Sequence, residues 1–164
     1  MRVGIALGAN LGDKLMTLNR AVDYLRTMDN HLVLSSWYSS RPLDCPANSP
    51  DFINGVLEMG YQGDLYDLLN ELQALEIEAG RAEIRDRNAP RPLDLDILYA
   101  DNQIINSERL TLPHPRAAER LFVLQPLSEI VPDRVLPGGD ESISKLCEIL
   151  KEQNKEMVCQ KLKS

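Results

Sequence analysis

The sequence predicts an α+β protein: a ferredoxin-like βαββαβ sandwich, mainly an antiparallel sheet with helices packed on one face, plus a C-terminal extension. Three observations carry that expectation. Short β-rich apolar runs and runs of helical period follow one another in the order β-α-β-β-α-β. The second and third strands succeed each other with no crossover helix between them, which argues against a doubly wound parallel sheet. The 164 residues show no repeat, no low-complexity run and no boundary, so 1–164 reads as one domain with a core over about 2–138.

RVGIALG (2–8) is an apolar run ending in glycine and reads as a buried strand. Asp13 is placed to cap the next helix, whose Leu15, Leu18, Val22 and Leu25 form one apolar stripe. HLVLSSWYSS (31–40) reads as the second strand, with Trp37 and Tyr38 in the core. In RPLDCPANSPD (41–51), Pro42, Pro46 and Pro50 oppose regular structure and make a stiff loop. FINGVLEMGY (52–61) is the third strand. Asp64 caps a second helix bearing Leu65, Leu68, Leu69, Leu72 and Leu75, and Gly80 stops it. RAEIRDRNAPRP (81–92) has no periodicity and reads as a functional loop. LDLDILY (93–99) is the fourth strand, and NQIIN (102–106) suits a further short one. TLPHPR (111–116) is rigid, AAERLFVLQPLSEI (117–130) reads as helical until Pro126, and SISKLCEILK (142–151) as a final helix. The lysine-rich end, 152–164, is expected to fray.

A net charge of −7 argues against nucleic acid and anionic membrane as partners. No apolar run approaches the ~20 residues of a membrane span. MRVGIALG is too short for a signal peptide, and Cys45, Cys147 and Cys159 show no C-x-x-C spacing. The expectation is a cytoplasmic protein with reduced thiols and no zinc site. Seven of the twelve arginines lie between 81 and 120, a window with no lysine and seven acids. The planar guanidinium fork suits phosphate, so a small polyanion and a set of surface salt bridges both remain open.

GANLGD (8–13) departs from G-x-G-x-x-G and lacks the G-K-[ST] ending of a P-loop, so a tight strand-to-helix turn is its plain reading. Asp94 and Asp96 carry more. In a strand, residues i and i+2 face the same way, roughly 6.5 Å apart at the backbone, and like charges there repel. Solvent or a divalent cation would relieve that repulsion. Arg91 stands just upstream, between Pro90 and Pro92, and Arg81, Arg85 and Arg87 share its loop. Anions for magnesium beside cations for uncoordinated oxygens are what a magnesium triphosphate requires. His114, held between Pro113 and Pro115, can donate to a phosphate or cap a loop; His31 has no evident partner. Phe52 and Phe122 suit the core, and Asn54 suits either a turn or a heterocycle's donor–acceptor edge.

Five ordered blocks make the chain resemble the 6-hydroxymethyl-7,8-dihydropterin pyrophosphokinases of folate biosynthesis over roughly 2–138: ALGANLGD, SPDFING, LEIEAGR, PRPLDLDIL and LPHPRAAERLFVLQPLSEIVP. The resemblance implies transfer of the pyrophosphoryl group of ATP to the hydroxymethyl oxygen of 6-hydroxymethyl-7,8-dihydropterin, with AMP leaving. It implies two magnesium ions on Asp94 and Asp96. Arg81, Arg91, Arg120 and His114 would contact phosphates, with Arg81 and Arg91 counted as catalytic alongside the two aspartates. The pterin slot would be Phe52, Asn54 and Phe122, with Gly8, Ser40, Pro42, Leu43 and Asp94 around it. Gln73 and Glu76 would lie near the ATP, and Leu98, Leu110 and Thr111 around the adenine. The expected partners are these two small molecules, bound by a monomer. Departures fall at Asn88 and Ala89, where many members have tryptophan and glycine, and at Glu83, Ser39 and Asp44; no role is carried onto Asn88 or Glu83. Two other classes compete: a D-x-D nucleotidyltransferase, which would leave AMP on the acceptor, and a silent interaction module, which would lack the carboxylate pair.

Overall fold

The computed structural model describes residues 1–41, 48, 50–80 and 92–163. β1 (Arg2–Ala9) runs through the middle of the main sheet. It leads through Asn10–Asp13, with Gly12 at φ 68°, into α1 (Lys14–Arg26). Asp13 caps that helix by accepting from the Met16 N–H at 3.1 Å. Leu18, Val22 and Leu25 of the expected stripe are buried beside Ala21, whereas Leu15, at the first turn, is 40% exposed.

The expected second strand is two pieces, β2 (Val33–Leu34) and β3 (Tyr38–Ser40), both antiparallel to β4 (Phe52–Gly60). Ser35 and Trp37 lie in the break: Ser35 Oγ accepts from the Val56 N–H at 3.0 Å, and the Trp37 ring covers Gly55, where a Cβ would stand 2.6 Å from it. α2 (Leu65–Glu78) starts on the Asp64 cap and ends before Gly80, at φ 103°. β5 (Asp94–Ala100) pairs antiparallel with β1, and β6 (Ile105–Asn106) forms a separate ribbon with β7 (Thr111–Leu112).

The main sheet is ordered β5-β1-β4-β3, with β2 also on β4, and every pairing is antiparallel. Helices cover both faces, not one. Val3, Ile5, Leu7, Leu57, Met59, Leu95 and Ile97 pack with α1 and α2. Val56, Leu98 and Tyr99 pack on the other side with α3 (Leu121–Ile130) and α4 (Ile143–Gln153). The sequence order shows the first two helices but not where the last two dock.

Two further expectations are corrected. α3 continues through Pro126 to Ile130, because Leu121, Val123, Leu124, Pro126 and Leu127 are buried and their packing outweighs the hydrogen bond the proline removes. The supposed frayed tail is ordered: α4 runs to Gln153, and β8 (Cys159–Lys161) completes the sheet on the far side of β3. The tail's lysines hide a strand held by backbone pairing, with the Leu162 N–H also donating to Trp37 O at 2.8 Å.

Candidate active site

The site grows from the period-two pattern of β1. Val3, Ile5, Leu7 and Ala9 are buried against α1 and α2, so Gly4, Ala6 and Gly8 form a floor of small residues on the opposite face. Register places Gly8 between Asn54 of β4 and Asp94 of β5, and Ala6 between Val56 and Asp96. Beyond β4, Asn54 stands opposite Tyr38 and Phe52 opposite Ser40. Directly opposed residues of an antiparallel pair share a face. Gly8, Ser40, Phe52, Asn54, Asp94 and Asp96 therefore meet at one end of one face.

The Asn54 side chain, 5% exposed, donates from Nδ2 to Ser40 Oγ at 2.7 Å. A Cβ on Gly8 would lie 2.9 Å from Asn54 Oδ1, so any side chain there would displace the amide. The two aspartates, each half-buried, flank Leu95, which points into the opposite core. The Leu95 N–H donates to Glu76 Oε1 at 2.8 Å. Glu76, 6% exposed on α2, thus secures the strand between the two carboxylates.

His114 approaches from the turn after β7. Its N–H donates to Leu98 O at 2.8 Å, and its Nδ1 accepts from the Arg116 N–H at 3.1 Å. The ring proton is then on Nε2. Burial, reinforced by the charges of Arg120 and Arg116 and opposed by that of Asp94, holds the imidazole below its usual pKa and neutral at pH 7. Of these groups only Asp94, on β5, is distant from His114 in sequence. Arg120, just before α3, places its guanidinium carbon 5.6 Å from the Phe122 ring centroid.

The remaining expected residues are placed less pointedly. Gln73 and Thr111 are exposed on α2 and β7. Leu98 and Leu110 are 1% and 6% exposed, which leaves their backbone atoms as the groups a ligand could reach. Pro42, Leu43, Arg81 and Arg91 lie outside the described residues, as do Glu83 and Asn88.

Three residues with no role in the sequence reading also shape the site. Asn10, fully buried, donates to Pro50 O at 3.4 Å, and Lys14 Nζ donates to Asp51 O at 2.8 Å, fixing the approach to Phe52. Glu129 of α3 accepts from the Ser36 N–H at 2.9 Å, the Ser36 hydroxyl at 2.9 Å and the Tyr38 hydroxyl at 2.8 Å. Burial pushes its pKa up, but these bonds and the Lys161 charge outweigh it and leave the carboxyl below its ordinary value. The asparagine of GANLGD and the glutamate of PLSEI were visible as motif positions; what they hold was not.

Among the described residues no group of three or more metal-ligating side chains occurs. Two half-buried carboxylates on one strand face suit magnesium, which keeps several waters and takes oxygens from a bound phosphate chain, better than zinc. A flat ring could lie on the Gly8 floor beside the Asn54 amide, with an anionic tail directed to the aspartates.

Comparison with known proteins agrees. The sequence profile of the 7,8-dihydro-6-hydroxymethylpterin-pyrophosphokinase (HPPK) family matches residues 4–132. A 2-amino-4-hydroxy-6-hydroxymethyldihydropteridine pyrophosphokinase of Haemophilus influenzae is 45% identical over 137 residues, covering 82% of this chain and 84% of that protein. One from Pseudomonas aeruginosa is 43% identical over 141 residues, covering 84% and 85%. Among solved structures, wild-type Plasmodium falciparum HPPK-DHPS with pteroate superposes with a TM-score of 0.69 at 13% identity. That match covers 94% of this chain and 43% of the solved one, and speaks to the fold alone.

Proposed function

The chain belongs to the 7,8-dihydro-6-hydroxymethylpterin-pyrophosphokinase family and transfers the pyrophosphoryl group of ATP to the hydroxymethyl oxygen of 6-hydroxymethyl-7,8-dihydropterin in folate synthesis; on that premise, we propose how its residues perform the transfer. The observation that carries the proposal is the register across β5, β1, β4 and β3, which lines up Asp94, Gly8, Asn54 and, one pair on, Phe52 with Ser40.

Asp94 and Asp96 would hold two magnesium ions, which when bound neutralise the triphosphate and acidify the attacking hydroxyl. The pterin lies against Gly8 between Phe52 and Phe122, and the Asn54 amide, oriented by Ser40, reads its aminopyrimidine edge. The resemblance assigns Pro42 and Leu43, outside the described residues, to the same slot. Neutral His114 donates through Nε2 to a phosphate oxygen, and Arg120 adds positive charge from the head of α3. Arg81 and Arg91 meet the transferring group, where charge develops, and Gln73, Glu76, Leu98, Leu110 and Thr111 border the nucleotide. Such a transfer needs alignment and charge neutralisation more than a strong base.

The same reading takes 1–164 as one domain acting as a monomer in the cytoplasm, with a ferredoxin-like chain path. The antiparallel strand order supports that chain path. Incubation with ATP, magnesium and the reduced pterin alcohol tests the proposal. Free AMP with a pyrophosphorylated pterin is expected; AMP attached to the acceptor, or no turnover, would overturn it.

A further inference from the structure

The family match ends at residue 132, yet the C-terminal segment lies against the proposed pterin slot. Cys159 pairs with Ser40 in the sheet, and one cleft is lined by Ser40, Leu121 and Phe122 together with Met157, Val158 and Cys159. Met157, Cys159 and Phe122 all pack on the apolar cluster that joins α3, α4 and β4. Resting on the reading of Ser40 and Phe122 as slot residues, we propose that Met157–Cys159 is the back wall of the pterin slot, with Met157 a positioning residue that holds the Phe122 ring against the bound pterin.

The physical reason is packing. Phe122 is half-buried at the first turn of α3, with Arg120 over its ring, and it borders the cleft that Met157 and Cys159 also line. A thioether is an adaptable filler for such a space. The Cys159 thiol beside it, pushed up to about 11 chiefly by burial, is uncharged and adds apolar bulk. Pterin affinity is therefore set partly by a segment beyond the family match.

The test uses the full chain with Met157→Ala, Met157→Leu and Phe122→Ala, reading KM for pterin, KM for ATP, kcat and melting temperature. Met157→Ala should raise the pterin KM about tenfold, with kcat and the ATP KM within about twofold, and Met157→Leu should restore it. An unchanged pterin KM, or parallel rises in both KM values, would overturn the inference. If Phe122→Ala weakens pterin while Met157→Ala does not, only the wall fails; if Phe122→Ala also leaves pterin untouched, the slot assignment fails with it. Val158→Ala, at an exposed position that spares the fold, should raise the pterin KM about threefold, and no change there counts against the wall.

Discussion

The two ends of the small-residue floor on β1 are built from the same pattern and put to opposite uses. At the Gly4 end the space is filled. A Cβ on Gly4 would lie 2.4 Å from the Tyr99 ring, and Arg134 stacks 4.3 Å above that ring. Glu58, opposite Gly4, accepts from Arg2 Nε and Arg134 Nη2, each at 3.0 Å, and from the Tyr99 hydroxyl. Every charge there meets its complement within the protein. At the Gly8 end the floor carries half-buried Asp94 and Asp96 side by side, a buried amide and a neutral histidine. The contrast shows how one strand separates a structural lock from a reactive mouth. Charges paired internally stabilise the lock, whereas two carboxylates on one strand face offer oxygens that suit a divalent cation.

The largest test of that contrast is Asp96→Ala. Turnover should fall on the order of 10³-fold, while the chain still folds, as its melting curve reports; near-normal turnover would show that the open end is not the site. Glu58→Gln at the locked end should do the reverse, costing about 3 kcal/mol in chemical denaturation with little change in kcat. Burial pushes the Glu58 carboxyl up, but the Tyr99 and Arg2 hydrogen bonds and the charges of Arg134 and Arg2 bring it below its ordinary value of 4.5. A lowered folded pKa gives stability that is present above about pH 4.5 and lost as pH falls through the folded value. Wild-type melting temperature should therefore drop in that acid window, and Glu58→Gln should flatten the drop. A smaller pair sharpens the comparison: Gly4→Ala should destabilise by about 2 kcal/mol from the collision with Tyr99, while Gly8→Ala should mainly raise the pterin KM. Equal kinetic effects from the two would erase the distinction between the ends.

The locked end was partly legible in the sequence and the open end in a different way. The β-rich apolar runs RVGIALG and FINGVLEMGY betray strands because helices cover both faces of the sheet and leave these strands largely buried. The i, i+2 spacing of Asp94 and Asp96 survives as a shared face because a strand's period leaves no other choice. What residues alone did not disclose were contacts made across long chain separations. His114 meets the charge of Asp94 only through the fold, and the family resemblance, not periodicity, pointed to it as a phosphate contact. β8 escaped notice because three residues held by backbone pairing leave little pattern in side chains. The run of α3 through Pro126 likewise depends on its packing partners.

The most direct measurement is calorimetric titration of a non-hydrolysable ATP analogue with magnesium into wild type and the Asp94→Asn, Asp96→Asn double variant. If the carboxylate pair holds the metal-bound nucleotide tail, the variant should bind at least about 100-fold more weakly and lose its dependence on magnesium. Equal affinity and equal magnesium dependence in both proteins would contradict it.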